Sequence, residues 1–93
     1  YELELPNAFT PNGDGLNDTF RPVYYGFTEI VLKVFDTWGT LLYFEKAVKG
    51  KLNGWDGRIN GRPAENGNYI YQVSGKAYNG ELVYKNGPFT LLR

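Results

Sequence analysis

A chain of 93 residues has room for one small domain with a single core, burying about two-thirds of its unfolded surface. Its 42% apolar and 17% aromatic residues exclude a disordered tail. Ten Lys and Arg balance ten Asp and Glu, which leaves no basic stripe for nucleic-acid phosphates, and no apolar run reaches the length of a membrane helix.

Twelve glycines and many asparagines cut the chain into short runs rich in Tyr, Val, Ile and Phe, the pattern of an all-β domain. Nowhere does a 3.6-residue apolar period persist over three turns. Tyr1 to Leu5 alternates, with Tyr1, Leu3 and Leu5 on one face and Glu2 and Glu4 on the other. Pro6 ends or edges that strand. Phe9 to Asp18 reads as a loop, and Thr19 to Tyr25 as a short strand broken by Pro22. Thr28 to Asp36 is the clearest strand. Ile30, Leu32 and Val34 face one way and Val31 and Phe35 the other, which predicts a central strand covered on both sides. Asp36-Thr37-Trp38-Gly39 predicts a type I hairpin turn with a left-handed Gly, and Thr40 to Glu45 returns antiparallel.

Lys46 to Gly54 is polar and loop-like, and Asn60-Gly61 is a second turn signal. Asn68 to Tyr78 is a long strand, Asn79-Gly80 a two-residue hairpin turn, and Glu81 to Lys85 the return. Asn86-Gly87-Pro88 is expected to interrupt the pairing before Phe89 to Arg93 closes the chain. Turn signals recur about every 8–12 residues, so the prediction is an immunoglobulin-like antiparallel β-sandwich of about seven strands, all-β, forming a single domain over residues 1–93. Trp55, Ile30, Leu32, Val34, Tyr69, Tyr71 and Val73 are the expected core.

The missing residue types narrow the chemistry. Without Cys there is no disulfide, thiolate nucleophile or zinc-thiolate site. Without His the commonest general base and transition-metal ligand is gone. Without Met the chain is expected to be a piece of a longer one, a processed product or an excised domain. A Cys-free composition suits a cytosolic protein and equally an exported one that folds without oxidation. The carboxylates are scattered over solvent positions and turns, and a chain of this size leaves little room for a deep cleft. An enzyme is therefore not expected.

Three constellations remain. Asn12, Asp14, Asn17 and Asp18 bring side-chain oxygens close enough together for calcium, although the spacing is not that of an EF-hand and no closing Glu follows. The other reading, which we adopt, is a self-capped tight loop without a cofactor. Trp55, between two glycines and beside Asp56, is read as a buried plug. Its indole N–H would be met by a loop carbonyl, and Asp56 would cap a turn. Trp38 sits in a hairpin tip with Tyr43 across from it. It either joins an exposed aromatic recognition cluster or folds back over the sheet edge.

The run Pro6-Asn7-Ala8-Phe9-Thr10-Pro11-Asn12-Gly13-Asp14-Gly15-Leu16-Asn17-Asp18 closely resembles the opening of the gliding motility-associated C-terminal domain, also called the type B C-terminal sorting domain of the type IX secretion system. Val34-Phe35-Asp36-Thr37-Trp38-Gly39 is similar to its Phe to Trp-Gly hairpin. Gly54-Trp55-Asp56-Gly57, Asn60-Gly61-Arg62-Pro63 and Asn66-Gly67-Asn68-Tyr69-Ile70-Tyr71 resemble its central signature. Those central blocks are also similar to the immunoglobulin-like flagellar hook-capping domain. Phe89-Thr90-Leu91-Leu92-Arg93 resembles the terminal strand, so the likeness runs nearly end to end. Thr37 departs from it, standing where the family usually has a basic residue.

The resemblance implies a folded signal at the C-terminus of a large secreted or surface protein of a gliding Gram-negative bacterium, with its cargo covalently N-terminal. It would carry that cargo through the periplasm and across the outer membrane, to the cell surface or the medium. It further implies outer-membrane secretion machinery as the partner, through a PorP/SprF-type adaptor, with neither nucleic acid nor membrane insertion involved. Thr37, Trp38, Tyr43 and Arg93 are the candidate contact residues. The competing reading is a carbohydrate-binding or adhesive module, which would need coplanar aromatics on one exposed face.

Overall fold

The computed structural model of the chain describes residues 1–13, 15 and 18–93. Among them are nine strands and no helix: β1 (Glu2–Glu4), β2 (Ala8–Phe9), β3 (Val23–Tyr25), β4 (Phe27–Phe35), β5 (Leu41–Val48), β6 (Arg58–Ile59), β7 (Arg62–Pro63), β8 (Gly67–Ala77) and β9 (Leu82–Leu91). The fold is all-β and immunoglobulin-like, an open sandwich whose two layers differ in construction. One layer is a five-stranded sheet in the order β2-β9-β8-β4-β5. The other is assembled from two two-stranded ribbons, β1-β3 and β6-β7, and from an isolated antiparallel bridge between Phe20 and Trp55.

The large sheet follows the period-two pattern. Ile30, Leu32 and Val34 of β4 face inward beside Tyr69, Tyr71 and Val73 of β8 and Phe89 and Leu91 of β9, and all are buried. Phe9, Phe20, Leu52, Trp55 and Ala64 cover them from the other layer. Phe20 stacks on Phe89 with ring centroids 3.7 Å apart and planes 13° from parallel. Phe9 lies 5.8 Å from Trp55 and 6.0 Å from Phe89, both tilted. Such offset and tilted aromatic pairs add to the burial of their apolar area.

Three features differ from the sequence pattern. First, β4 is central within its sheet, flanked by β8 and β5, but among the described residues no second layer covers its outer face, where Val31 and Phe35 are only half-buried. On the same face Phe44 lies opposite Lys33 and Ile70 opposite Phe35, and both are themselves exposed. Second, β9 runs unbroken through Asn86-Gly87-Pro88, with Pro88 opposite Ile70. The N–H groups of Thr90 and Leu92 point to the β2 side, onto Asn7 and Phe9 carbonyls. By strand alternation the nitrogen of Pro88 faces the same way, at a level where β2 has not yet begun, so its missing donor breaks no ladder bond. Third, β2 pairs with β9 in parallel, Ala8 with Thr90 and Phe9 with Leu91, which makes the sheet mixed.

Candidate recognition surface

The Asp36–Thr40 turn shapes the most exposed aromatic side chain of the molecule. The N–H of Gly39 donates to the Asp36 carbonyl at 3.1 Å, the i to i+3 bond of the predicted turn. The Asp36 carboxylate accepts from the N–H groups of Trp38 (3.0 Å) and Thr40 (2.8 Å). With its backbone so held, the Trp38 side chain projects from the tip and is 91% exposed. It stands at the rim of a depression of about 440 Å³. Thr37 and Leu42 line it on the hairpin side, and Ile59, Pro63 and Ala64 form the facing wall.

Tyr43 does not join Trp38. It lies opposite Val34 on the inner face of β5, half-buried against the core, and its hydroxyl donates to Glu45 at 2.7 Å. Burial, reinforced by that carboxylate, pushes the Tyr43 hydroxyl pKa well up. Glu45, which the sequence pattern did not single out, also accepts from the N–H groups of Asn53 (2.7 Å) and Gly54 (2.9 Å). Burial raises its pKa, but the three hydrogen bonds prevail and hold the carboxyl below its ordinary value. Tyr43 and Glu45 thus tie the edge strand to the loop that delivers Trp55.

Trp55 is 0% exposed. Its N–H and carbonyl both bond Phe20 across the bridge, at 2.9 and 2.8 Å. Its indole donates to the Arg58 carbonyl at 3.1 Å. Asp56 caps the following turn by accepting from the Arg58 N–H at 3.0 Å. A Cβ at residue 54 would lie 2.8 Å from the Phe20 carbonyl oxygen, so the close approach of the two bridged segments requires glycine there.

Arg93 is exposed, but its guanidinium folds back onto the chain. Its guanidinium donates to the carbonyls of Ala64 and, at 2.6 Å, Gly57. Its backbone N–H donates to the Asn66 side chain at 3.1 Å. Arg93, a candidate partner contact, is exposed but does not line the depression: two of its guanidinium donors are engaged within the chain, beneath the wall that faces Trp38. The expected pairing of Tyr43 with Trp38 is corrected, because strand alternation puts Tyr43 on the core side. Of the four candidates, only Thr37 and Trp38 line the depression.

In the 12–18 loop, Asp14 and Asn17 fall outside the described residues. The Asp18 carboxylate accepts from the N–H groups of Gly13 (3.0 Å) and Gly15 (2.7 Å), with Asn12 one residue earlier in the same loop. A larger depression of about 510 Å³ adjoins this loop. Charges of both signs line it, Glu4, Asp18 and Arg21, with no exposed aromatic ring.

No curated protein matches the chain. Among solved structures, it is similar to PorZ, described as an essential bacterial surface component of the type IX secretion system of Porphyromonas gingivalis. The identity is 26% and the TM-score 0.58, with 98% of this chain and 11% of PorZ covered. It also overlaps CopC from Methylosinus trichosporium OB3b at 18% identity and a TM-score of 0.46, over 67% of this chain and 60% of CopC. That looser overlap carries no argument. The model of the CHU_C type IX secretion signal domain matches residues 3–87, and the chain belongs to that family.

Proposed function

We propose that residues 1–93 act as one sorting domain, without chemistry of its own, for a cargo joined covalently to its N-terminus. The cargo is carried from the periplasm across the outer membrane to the cell surface or the medium. An outer-membrane adaptor of the PorP/SprF type reads the folded domain at the Trp38 end. The 12–18 loop is a self-capped turn that needs no calcium. The family match over residues 3–87 carries this reading. The exposed Trp38, with a concave surface beside it, supports the choice of surface, since aromatic anchors dominate recognition patches. The adhesive reading needs coplanar aromatics on one exposed face, and the spread of the exposed rings favours it less. Phe44 and Tyr84 lie on the open sheet face, Trp38 at one end of the sandwich and Tyr25 and Tyr78 at the other.

The test is a fluorescent passenger bearing a Sec signal, fused ahead of residues 1–93 in a cell that has the matching secretion system. Passenger accumulating outside the cell is the expected outcome. Passenger retained in the periplasm by the full-length fusion refutes the reading.

A further inference from the structure

We infer that Arg93 is the positioning residue of the Trp38 depression: its guanidinium fixes the wall that faces the tryptophan. This rests on the sorting reading of that surface. The wall is the β6-β7 hairpin, which supplies Ile59, Pro63 and Ala64 to the lining. The hairpin is closed at its base by one backbone bond, from the Ala64 N–H to the Gly57 carbonyl at 2.8 Å. Two-residue strands hold little on their own. The Arg93 fork spans that closure and donates to both of the residues that form it, Gly57 and Ala64. Its backbone N–H holds Asn66, which also lines the depression.

The packing around the fork is equally specific. Gly57 has φ +78°, and a Cβ there would stand 3.0 Å from the Arg93 guanidinium and 3.2 Å from both Leu91 and Pro11. The hairpin base is therefore pressed against the end of β9 through a residue that must be glycine. A planar guanidinium presents several donors in a fixed geometry, so it can hold two carbonyls at once. An ammonium on a flexible stem presents a single point charge. Lysine at position 93 keeps the charge and loses the clamp. The wall opposite Trp38 and the end of the last strand then cease to move as one body.

The experiment compares the wild-type chain with Arg93→Lys, Arg93→Ala and Trp38→Ala. Amide hydrogen exchange is measured on the isolated chain and export on the passenger fusion. In both Arg93 variants the Ala64 amide is expected to exchange at least about tenfold faster, with Leu32 and Val73 unchanged, because local opening leaves the core sheet intact. Export of both is expected to fall to the level of Trp38→Ala. Unchanged exchange at Ala64 overturns the clamp. Faster exchange spread through β4 and β8 assigns Arg93 to general stability and overturns the positioning role. Local opening with full export, while Trp38→Ala is blocked, shows that the wall is not read and overturns the inference. If the wild-type fusion itself is not exported, the sorting reading fails, and the exchange pattern alone decides whether Arg93 holds the wall.

Discussion

The two tryptophans stand in similar local sequence and in opposite surroundings. Trp38 precedes a glycine in a turn, and Trp55 lies between two glycines after a polar loop. Trp55 is locked on every side: a two-way backbone bridge to Phe20, an indole bond to Arg58, and rings of Phe9, Tyr69 and Phe89 within about 6 Å. Trp38, among the described residues, is held through its backbone, by Asp36. The difference teaches that flanking glycines mark a turn and do not say which way the side chain goes. What decides it is whether the turn returns the chain to the core or ends a hairpin in solvent. A large exposed ring contributes little to folding, so the recognition role proposed for Trp38 can be tested apart from stability.

Three substitutions test that contrast. Trp55→Ala removes the plug between the layers and should cost about 3–5 kcal/mol in denaturant melts. A loss near zero would place the two tryptophans in the same class. Glu45→Gln comes next, because Glu45 holds the loop that carries Trp55. The carboxyl titrates lower in the folded chain than its ordinary 4.5. Its stabilisation is therefore complete above that range and disappears as pH falls through the lowered value. The variant should lose about 1 kcal/mol at pH 7, a modest figure for charge-assisted bonds near solvent. The wild-type advantage should vanish in acid melts. An advantage independent of pH would remove charge from the explanation. Trp38→Ala should change stability by no more than about 0.5 kcal/mol while abolishing export of a fused passenger. A large stability loss would show that the tip ring packs on the sheet.

The long strands were legible because their apolar residues alternate. Ile30, Leu32 and Val34, and Tyr69, Tyr71 and Val73, needed no information from elsewhere in the chain. The opposing layer was not legible in the same way. Phe9, Phe20 and Leu52 stand in a two-residue strand or in irregular segments, and no period marks them as core. Trp55 was readable as a plug because size and flanking turns both argued for it. Of the surface candidates, Thr37 and Trp38 could be placed from the hairpin signal alone. Tyr43 and Arg93 could not, because their partners are a carboxylate two residues away on the same strand face and carbonyls 29 and 36 residues back. Pro88 misled for a related reason: a proline forbids one hydrogen-bond direction, and only the sheet order reveals that this direction is open.

The parallel pairing of Ala8 with Thr90 and Phe9 with Leu91 has a kinetic consequence. Neighbouring strands such as β4 and β5 can form as soon as they are made, but this pair joins segments more than eighty residues apart, and the entropy of closing so long a loop must be met before the contact repays it. The sheet cannot be completed while Leu91 is still inside a ribosome or a translocation channel. A chain that enters such a channel N-terminus first therefore remains open for the whole passage. Closure becomes possible only on the far side, once Leu91 has emerged, and it needs no oxidant because no cysteine has to be paired.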